Sequence, residues 1–429
     1  MTTSLSPSVH EDYTESTDAP PRGSKKPLAI LVVPPGSYRT ADFVSAASDL
    51  RVDLVIASEG DLPMSGLGKS RSITIDCMRP EWSASRVAKH KPTPDVVIAA
   101  DDGGVEVAAM ASDMLGTPSN SIAAVAATRD KAHMRGLLAN SNVAQPEFRL
   151  ARPGQVAAAA SAIGYPCVVK PRGLSASRGV IRVDTVAEAD AAETRTRAVI
   201  ANAGGDSDTT LLVETFVPGP EVAVEGMVLN GELVVLALLD KPDPLDGPFF
   251  EETMFVTPSR HDPAIQDEIE SVTADAVRAI GLVTGPIHAE VRCGPHGVVL
   301  IEIAARSIGG LCGRALSFGL LGESLESVII RSALGLPGSG LDTAVPATGV
   351  LMLPIPCAGT LASIKGIDDA LAIEGVTEFD QTIPNGKTVV PLPEGDRYLG
   401  FLFAKAMTPD GVEDALRTAH AALTITIEE

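Results

Sequence analysis

The chain has 429 residues, and its 34 Lys and Arg against 55 Asp and Glu give a formal net charge of −21. Such an acidic surface repels nucleic-acid phosphates and anionic membranes, so neither is an expected partner. Aromatic residues make up only 3% of the chain, which argues against a stacking surface for single-stranded nucleic acid. A ligand that carries phosphate would therefore need a local group of basic residues.

Length and cysteine content indicate a multidomain protein of a reducing compartment. Domains of roughly 100–200 residues predict about two to four of them here. The five cysteines are scattered without a C-x-x-C motif, which favours buried free thiols. No apolar run is long enough to span a membrane, and residues 1–26 are too polar for a signal peptide. We expect a cytoplasmic protein with a disordered tail at 1–26.

Residues 27–125 predict an N-terminal open parallel α/β domain, because apolar strand-like runs alternate with helical patterns. Strands are predicted at 28–33, 52–57, 72–76 and 95–100, and helices at 40–50, 81–91 and 105–115. Ligands of such sheets bind at the carboxyl ends of the strands. The loops at 34–36 and 101–104 therefore either face a site or only turn the chain.

The remaining sequence predicts a small α+β unit at 126–215 and a central α+β domain at 216–340. In the small unit, helices are expected at 128–140, 155–163 and 185–201, and strands at 166–170, 180–183 and 211–214. Asn230-Gly231 between two apolar runs predicts a hairpin, and 288–293 and 298–303 predict a second antiparallel pair. Residues 341–429 predict a β-rich C-terminal subdomain.

A loop rich in glycine and serine follows the predicted strand that ends at Lys170. It runs to Gly179 and carries Arg172, Gly173, Ser175, Ser177 and Arg178. Glycines let backbone N–H groups approach a phosphate, serine hydroxyls add donors, and a lysine adds a point charge. The spacing differs from that of a Walker motif. The loop is either a phosphate-binding loop or a flexible hairpin with a solvated basic tip.

Two acidic residues, Glu214 and Glu221, flank a Pro/Gly turn after the next predicted strand. A carboxylate or a backbone group here can bind an adenine amino group, and Glu221 can bridge two ribose hydroxyls. The alternative is a charged turn that binds nothing.

His288, Glu290 and Arg292 alternate along one predicted strand, so their side chains share a face. The facing strand would bring Glu302 beside Glu290. Two such carboxylates repel unless a cation lies between them, and Mg²⁺ bound by carboxylates and substrate phosphates meets that need. Arg306 would then contact a transferring phosphoryl group or an anionic intermediate. The alternatives are exposed cross-strand ion pairs, such as Glu290 with Arg306, and a structural His288, which has no zinc-spaced partner.

The order of these parts resembles the ATP-grasp superfamily over residues 28–335. The resemblance rests on the α/β domain, the Arg129-Asp130-Lys131 helix, the Lys170 strand with its loop, the Glu214…Glu221 hinge and the Glu290…Glu302 pair. It implies binding of ATP with Mg²⁺, or alternatively Mn²⁺, a lid domain at 126–215 and a flap formed by residues 173–179. The implied nucleotide contacts are Lys131, Lys170, Arg172, Ser175, Ser177, Gly179, Glu214, Val217, Glu221 and Lys241. The implied metal ligands are Glu290 and Glu302, and the implied catalytic residues are Arg306 and His288.

One departure from the superfamily pattern points to a branch of it. The second metal strand commonly has Glu-x-Asn-x-Arg, whereas this chain has Glu302-Ile-Ala304-Ala-Arg306. This variant, His-x-Glu on the preceding strand, and the segment 351–366 resemble L-amino acid ligases. In that branch Arg306 would steady the acyl phosphate. Residues 307–311 would form a pocket for the acceptor carboxylate or the donor, or else only a loop before a helix.

The resemblance implies an ATP-dependent carboxylate–amine ligase that forms a dipeptide-like amide through an acyl phosphate and releases ADP and phosphate. The alternatives are another ATP-grasp ligase or carboxylase that acts on a small carboxylate, and a nucleotide-binding protein without turnover. Ala304 keeps the last alternative open. The expected partners are a small amino acid or carboxylate and an amine, with a homodimer as the default assembly.

Overall fold

The computed structural model describes residues 26–60, 72–317, 322–338 and 346–428. The predicted disordered tail lies outside these ranges except for Lys26. Among the helices within them, none combines the length and the hydropathy that crossing a membrane requires. All five cysteines are described and unpaired, as expected, but only Cys167 and Cys312 are buried and Cys357 is exposed.

The N-terminal region contains a four-stranded parallel sheet in the order β3-β2-β1-β4. All six residues of β1 are buried, because α1 covers one face of the sheet while α2 and α3 cover the other. The predicted parallel α/β arrangement is confirmed. The elements are β1 (Leu28–Val33), α1 (Thr40–Asp49), β2 (Asp53–Ser58), β3 (Ser72–Thr74), α2 (Pro80–Ala88), β4 (Val96–Ala99) and α3 (Val105–Leu115).

Two helices, α4 (Ile122–Arg129) and α5 (Lys131–Asn140), replace the single helix predicted at 128–140. Asp130 interrupts them with an extended backbone, and its side chain accepts hydrogen bonds from the N–H groups of Ala132 and His133. This is the usual role of an aspartate at a helix N-cap. The interruption places Lys131 in the first turn of α5.

The lid is a four-stranded antiparallel sheet in the order β5-β8-β6-β7, with α6 and α7 on one face. Side chains alternate across such a sheet, so Cys167 and Val169 join the lid core while Val168 and Lys170 face a cavity. The lid elements are β5 (Phe148–Ala151), α6 (Val156–Ile163), β6 (Cys167–Lys170), β7 (Ile181–Val183), α7 (Val186–Asn202) and β8 (Leu211–Thr215).

An eight-stranded sheet in the order β13-β12-β9-β10-β11-β14-β18-β16 forms the centre of the molecule. The predicted hairpin of β9 and β10 is confirmed, with Asn230 and Gly231 both at positive φ as a tight turn requires. The central elements are β9 (Glu221–Leu229), β10 (Glu232–Asp240), β11 (Met254–Thr257), α8 (Pro263–Ile280), β12 (Thr284–Gly294), β13 (Gly297–Ala304), α9 (Arg314–Ser317) and α10 (Leu325–Leu334).

Strands from the C-terminal region complete this sheet, so the boundary predicted at 340/341 divides one continuous sheet. The same region adds a small sheet in the order β17-β15-β19, and α12 packs on β14 and β18. Its elements are β14 (Ala347–Met352), β15 (Gly359–Lys365), α11 (Ile367–Leu371), β16 (Val376–Gln381), β17 (Thr388–Val389), β18 (Gly400–Ala406), α12 (Pro409–Ala422) and β19 (Thr424–Glu428).

Candidate active site

A cavity of about 210 Å³ lies where the lid, the eight-stranded sheet and the C-terminal region meet. One end is apolar, the middle carries lysines and carboxylates, and the far end combines Arg306 with aromatic side chains. The cavity touches eleven of the predicted site residues, which are Lys131, Lys170, Ser175, Ser177, Glu214, Val217, Glu221, His288, Glu290, Glu302 and Arg306.

Glu290 and Glu302 lie directly opposite each other on β12 and β13, as predicted. The register shifts just beyond this pair, so that Val291 faces Leu300 and Ile301 has no partner on β12. A bulge of this kind redirects side chains, and both Ile301 and Glu302 line the cavity. The two glutamates retain access to solvent, with side-chain exposures of 23% and 27%.

Each of these glutamates is paired with cations of the protein. Lys131 Nζ lies 3.0 Å from Glu302 Oε1, and it also donates to the Leu174 carbonyl at 2.9 Å. Glu290 Oε1 lies 3.4 Å from Lys241 Nζ and 3.5 Å from His288 Nε2. The predicted alternative pairing of Glu290 with Arg306 is absent, because Arg306 contacts Asp102 instead.

Lys241 is buried at the centre of three carboxylates rather than on the cavity wall. Its Nζ contacts Glu221 at 2.6 Å, Glu290 at 3.4 Å and Glu252. Burial opposes the charge of Lys241, but Glu221, Glu252 and Glu290 together raise its pKa well above the ordinary value. Arg292 also binds Glu221, at 2.8 Å. Lys241 is therefore separated from the cavity by the carboxylates that it binds.

The carboxylates around Lys241 are also suited to bind a divalent metal ion. Ligand atoms of Glu221, Glu252 and Glu290 lie within 4.8 Å of one another. Burial and the charge of Glu290 raise the pKa of Glu252, although Lys241 lowers it. Oxygen donors of this kind fit Mg²⁺ or Mn²⁺, and Glu302 adds a further carboxylate across the strand pair. Ala304, 3% exposed, offers no oxygen from its side chain.

His288 is buried between two carboxylates. Its Nδ1 lies 2.5 Å from Glu225 Oε1, and its Nε2 lies 3.5 Å from Glu290. Burial disfavours the imidazolium, but the hydrogen bonds to Glu225 and Glu290 prevail and raise the pKa of His288 to about 9. Glu225 also accepts the N–H of Ile308 at 3.0 Å. The protonated ring therefore links β9, β12 and the loop after β13.

Glu214, on the lid strand β8, pairs with two basic residues. Its carboxylate contacts Lys170 Nζ at 2.6 Å and Arg135 Nε at 2.6 Å, with 1% of the residue exposed. Burial opposes ionisation, but Arg135 and Lys170 lower the pKa of Glu214 to about 2. Arg135 also donates to the Ile301 carbonyl at 2.7 Å. This network connects α5, the lid and the bulge on β13.

Arg306 is held from the N-terminal domain. Its guanidinium donates to Asp102 at 3.2 Å and to the Ser307 carbonyl at 3.0 Å. Burial opposes ionisation of Asp102, but Arg306 and Arg129 lower its pKa to about 2. The loop at 101–104 therefore does more than turn the chain, because it orients a cationic side chain that lines the cavity.

Besides Lys241, two further predicted contacts, Arg172 and Gly179, lie off the cavity wall. Arg172 pairs with Asp130 and donates to Thr210 Oγ1 at 3.1 Å, so its guanidinium supports the N-cap of α5. Gly179 donates its N–H to the Pro393 carbonyl at 3.1 Å. The flap reaches the cavity through residues 174–177, of which Ala176 and Ser177 have φ of 57° and 51°.

The apolar end of the cavity lies beside the hinge between lid and sheet. Phe216 and Phe250 stack with ring centroids 6.4 Å apart, and Arg292 lies against both rings. The Arg292 guanidinium also donates to the Val217 carbonyl at 2.9 Å. A flat aromatic ligand fits such a wall.

Sequence reasoning missed several residues of this site. Glu225 lies four positions after Glu221 in an otherwise apolar strand, so the two side chains lie on the same face of that strand. Arg135 lies one helical turn after Lys131, so these two side chains also share a face. The spacing therefore indicated that Glu225 and Arg135 belong to the site. Glu252 lies in the segment before β11, where no periodicity indicates which side chain points inward.

Comparison with known families and proteins identifies the class of domain that forms this cavity. Residues 163–315 match the model of the ATP-grasp domain, and residues 351–428 match that of the L-amino acid ligase C-terminal domain 2. The chain therefore contains an ATP-grasp domain followed by a C-terminal domain of L-amino acid ligases. The resemblance inferred from the sequence is confirmed.

Two curated relatives are named as a synthase and a ligase. The chain is 30% identical to dapdiamide A synthase of Enterobacter agglomerans over 51% of this chain and 52% of that protein. It is 26% identical to alanine–anticapsin ligase of Bacillus subtilis over 47% of this chain and 46% of that protein. The matched region thus spans about half the length of these curated relatives.

The crystal structure of L-amino acid ligase from Bacillus licheniformis matches over nearly the whole chain. Its TM-score is 0.78 at 22% identity, with 95% of this chain and 100% of that chain covered. Together with the match of residues 163–315 to the ATP-grasp domain, this likeness confirms the fold that the sequence predicted.

Proposed function

We propose that this protein is an ATP-dependent carboxylate–amine ligase that joins two small molecules, one of them an amino acid or related carboxylate, through an amide bond. The observation that carries the proposal is the facing pair of Glu290 and Glu302 beside Lys131, in one cavity with Arg306. A cavity lined by two carboxylates, a lysine and an arginine is suited to the transfer of a phosphoryl group to a carboxylate.

The two ends of the cavity suggest how the substrates lie. The adenine of ATP would stack at the apolar end with Phe216 and Phe250, and its ribose would approach Glu221. The phosphates would then extend past Lys170 and Lys131 under the flap. The acyl donor and the amine would occupy the end that contains Arg306.

Magnesium would be held by Glu290 and Glu302, with Mn²⁺ as an alternative, and Glu221 and Glu252 would supply further negative charge. When bound, the metal would neutralise the charge that accumulates on the phosphates. The side chain of Ala304 adds no ligand, so water or phosphate oxygens would complete the coordination.

The reaction has two steps. A carboxylate oxygen of the donor attacks the γ-phosphorus of ATP, the bond to the leaving ADP breaks, and an acyl phosphate forms. The amine nitrogen of the acceptor then attacks the acyl carbon, phosphate leaves, and the nitrogen loses a proton. Arg306 would bind the anionic acyl phosphate, while Lys131 and Lys170 would orient the transferring group. His288, held as an imidazolium by Glu225, would add positive charge near the same centre.

Ala304 favours a second candidate, a nucleotide-binding protein without turnover. A methyl group stands where the superfamily commonly has an asparagine ligand, so a metal bound there would have one protein oxygen fewer. Release of phosphate separates the two candidates, because only the ligase consumes ATP. Another ATP-grasp ligase or carboxylase would consume ATP but yield a different product.

We also propose domain limits, a cellular compartment and an oligomeric state. We propose a tail at 1–26, an N-terminal domain at 27–125 and a lid within 126–215 that excludes α5, because Met134 and Leu138 of α5 pack in the central core. The predicted limits 216–340 and 341–429 are not kept as separate domains, because strands from both ranges share the eight-stranded sheet. We also propose a cytoplasmic homodimer that acts on small molecules and does not bind nucleic acid.

Phosphate release in Mg-ATP with an equimolar pool of the twenty protein amino acids tests the activity, with mass spectrometry of the products. The proposal expects phosphate release that depends on the amino acids, together with a new dipeptide mass. Bound ATP without phosphate release would favour the second candidate. With bicarbonate added to the same mixture, a carboxylated product without an amide would favour the carboxylase.

A further inference from the structure

The loop at 390–398, between β17 and β18, crosses from the C-terminal region to the lid. The Gly179 N–H at the end of the flap donates to the Pro393 carbonyl at 3.1 Å. Arg178 Nη1, one residue earlier, donates to Asp396 Oδ2 at 3.2 Å. The loop therefore contacts the flap through both its backbone and a side chain.

A second ion pair joins the same loop to the long helix of the lid. Arg195 on α7 donates two hydrogen bonds to Glu394, of 2.6 and 3.0 Å. The same guanidinium lies over the Phe249 ring, 4.7 Å from its centroid. Bidentate pairs of this kind fix orientation as well as distance.

The loop itself is anchored to the rest of the C-terminal region. The Tyr398 carbonyl accepts a hydrogen bond from Thr382 Oγ1 at 2.7 Å, and the Tyr398 ring packs edge-on against Phe401. At Gly395 a Cβ atom would lie 2.0 Å from the Val390 carbonyl oxygen, so the turn requires glycine. Asp396 and Tyr398 also line the cavity, and the loop thus borders the space that the flap covers.

Other parts of the chain also contact the lid, including α5, where Lys131 Nζ donates to the Leu174 carbonyl of the flap at 2.9 Å. The loop at 246–249 pairs with β7, where the Arg182 N–H donates to the Pro248 carbonyl at 2.9 Å. That contact reaches β7 just after the end of the flap. The Gly179 N–H, Arg178 and the Arg195–Glu394 pair contact the 390–398 loop, whereas the Arg195 guanidinium also lies over Phe249 in the 246–249 loop.

We propose that the 390–398 loop holds the lid over the cavity during turnover, with Glu394 and Asp396 as positioning residues that act through Arg195 and Arg178. The consequence for chemistry rests on the proposed ligase function. Water that attacks the acyl carbon regenerates the carboxylate and releases phosphate, so ATP is consumed without an amide. Closure excludes that water, and the loop therefore sets how much phosphate is released for each amide formed.

Hydrogen exchange of residues 173–180 in the free full-length protein tests the contact without any turnover. We expect Arg195→Glu and Glu394→Arg each to speed exchange of the Gly179 amide by about three- to fivefold. The double variant, which restores opposite charges, should return it towards the wild-type rate. Arg278→Glu, which breaks a partly exposed pair with Asp275 on α8, is the matched control and should leave this exchange unchanged. Unchanged exchange in both single variants, or no recovery in the double variant, would overturn the contact.

The ratio of phosphate released to amide formed tests the role in the reaction, with Mg-ATP and the pool of twenty amino acids as substrates. The single variants should raise this ratio about three- to fivefold, and the double variant should lower it again. Faster exchange with an unchanged ratio would overturn the role in excluding water. A wild-type protein that forms no amide would refute the proposed function, whereas the exchange result would stand on its own.

Discussion

Glu290 and Glu302 face each other across β12 and β13, and each carboxylate is paired with a different lysine, Lys241 and Lys131 respectively. The two lysines come from different elements, since Lys241 follows the last residue of β10 and Lys131 lies in the first turn of α5. The pair thus lies where elements from three parts of the chain meet. On binding, a metal ion would replace the lysines as the partner of Glu290 and Glu302, and the phosphates would replace the glutamates as the partner of the lysines. Ligand binding would therefore break ion pairs that already exist in the free protein.

Glu302→Gln should abolish most of the turnover. The amide keeps the size of the side chain but removes the charge that would bind the metal, so we expect kcat to fall by about 100-fold or more. Glu232→Gln at the exposed start of β10 is the matched control and should retain wild-type kcat. Wild-type turnover in Glu302→Gln would refute the metal assignment.

Glu214→Gln should reduce stability in a way that depends on pH. The pKa of Glu214 falls from its ordinary value of 4.5 to about 2 in the folded protein, which corresponds to about 3 kcal/mol of stabilisation. A depressed pKa stabilises the fold above about pH 4.5, and this contribution is lost as pH falls towards 2. Urea unfolding at pH 7, 4.5 and 3 should therefore show a shrinking difference between wild type and variant. A difference that stays constant would contradict the buried ion pair.

His288 should remain protonated at neutral pH. Its pKa rises from 6.5 to about 9 in the folded protein, so its stabilising contribution is complete below pH 6.5 and is lost as pH rises through 9. Glu225→Gln should lower this pKa, because it removes the negative charge of the carboxylate that contacts His288 Nδ1. A titration followed by nuclear magnetic resonance with EDTA present measures the pKa in both proteins. An unchanged pKa in the variant would assign the shift to another group.

Asp102→Asn should impair catalysis more than nucleotide binding. Without the carboxylate, Arg306 loses the partner at 3.2 Å that orients it, and misplacement of such a group lowers kcat by about 10- to 100-fold. The KM for ATP should change little, because Asp102 lies on the Arg306 side of the cavity. Asp113→Asn, exposed on α3, is the control. A variant whose KM for ATP rises while kcat is preserved would place Arg306 against the nucleotide instead.

The sequence predicted those parts of the fold that depend on local pattern. Continuous apolar runs located β1 and β4, Asn230-Gly231 located the hairpin, and the short turn before β13 brought Glu290 opposite Glu302. The interruption at Asp130 was also encoded locally, since an aspartate in this position is a common N-cap. It was missed because the helical pattern continues on both sides.

Other features required contacts between distant parts of the chain. Arg135 and Glu214 are 79 positions apart, and Glu225 and His288 are 63 apart, so no local pattern could pair them. The bulge at Ile301 depends on how β13 packs against its neighbour. For the same reason Arg172 was assigned to the phosphates, whereas in the structure it binds Asp130.

The most direct test of the central claim measures how much ADP and phosphate the protein releases for each amide that it forms. Wild-type protein with Mg-ATP and the pool of twenty amino acids should release close to one ADP and one phosphate for each amide that mass spectrometry detects. Amide formation should require Mg²⁺ and should disappear in Glu302→Gln. ATP consumption without any new amide, or an amide formed equally well by Glu302→Gln, would contradict the account.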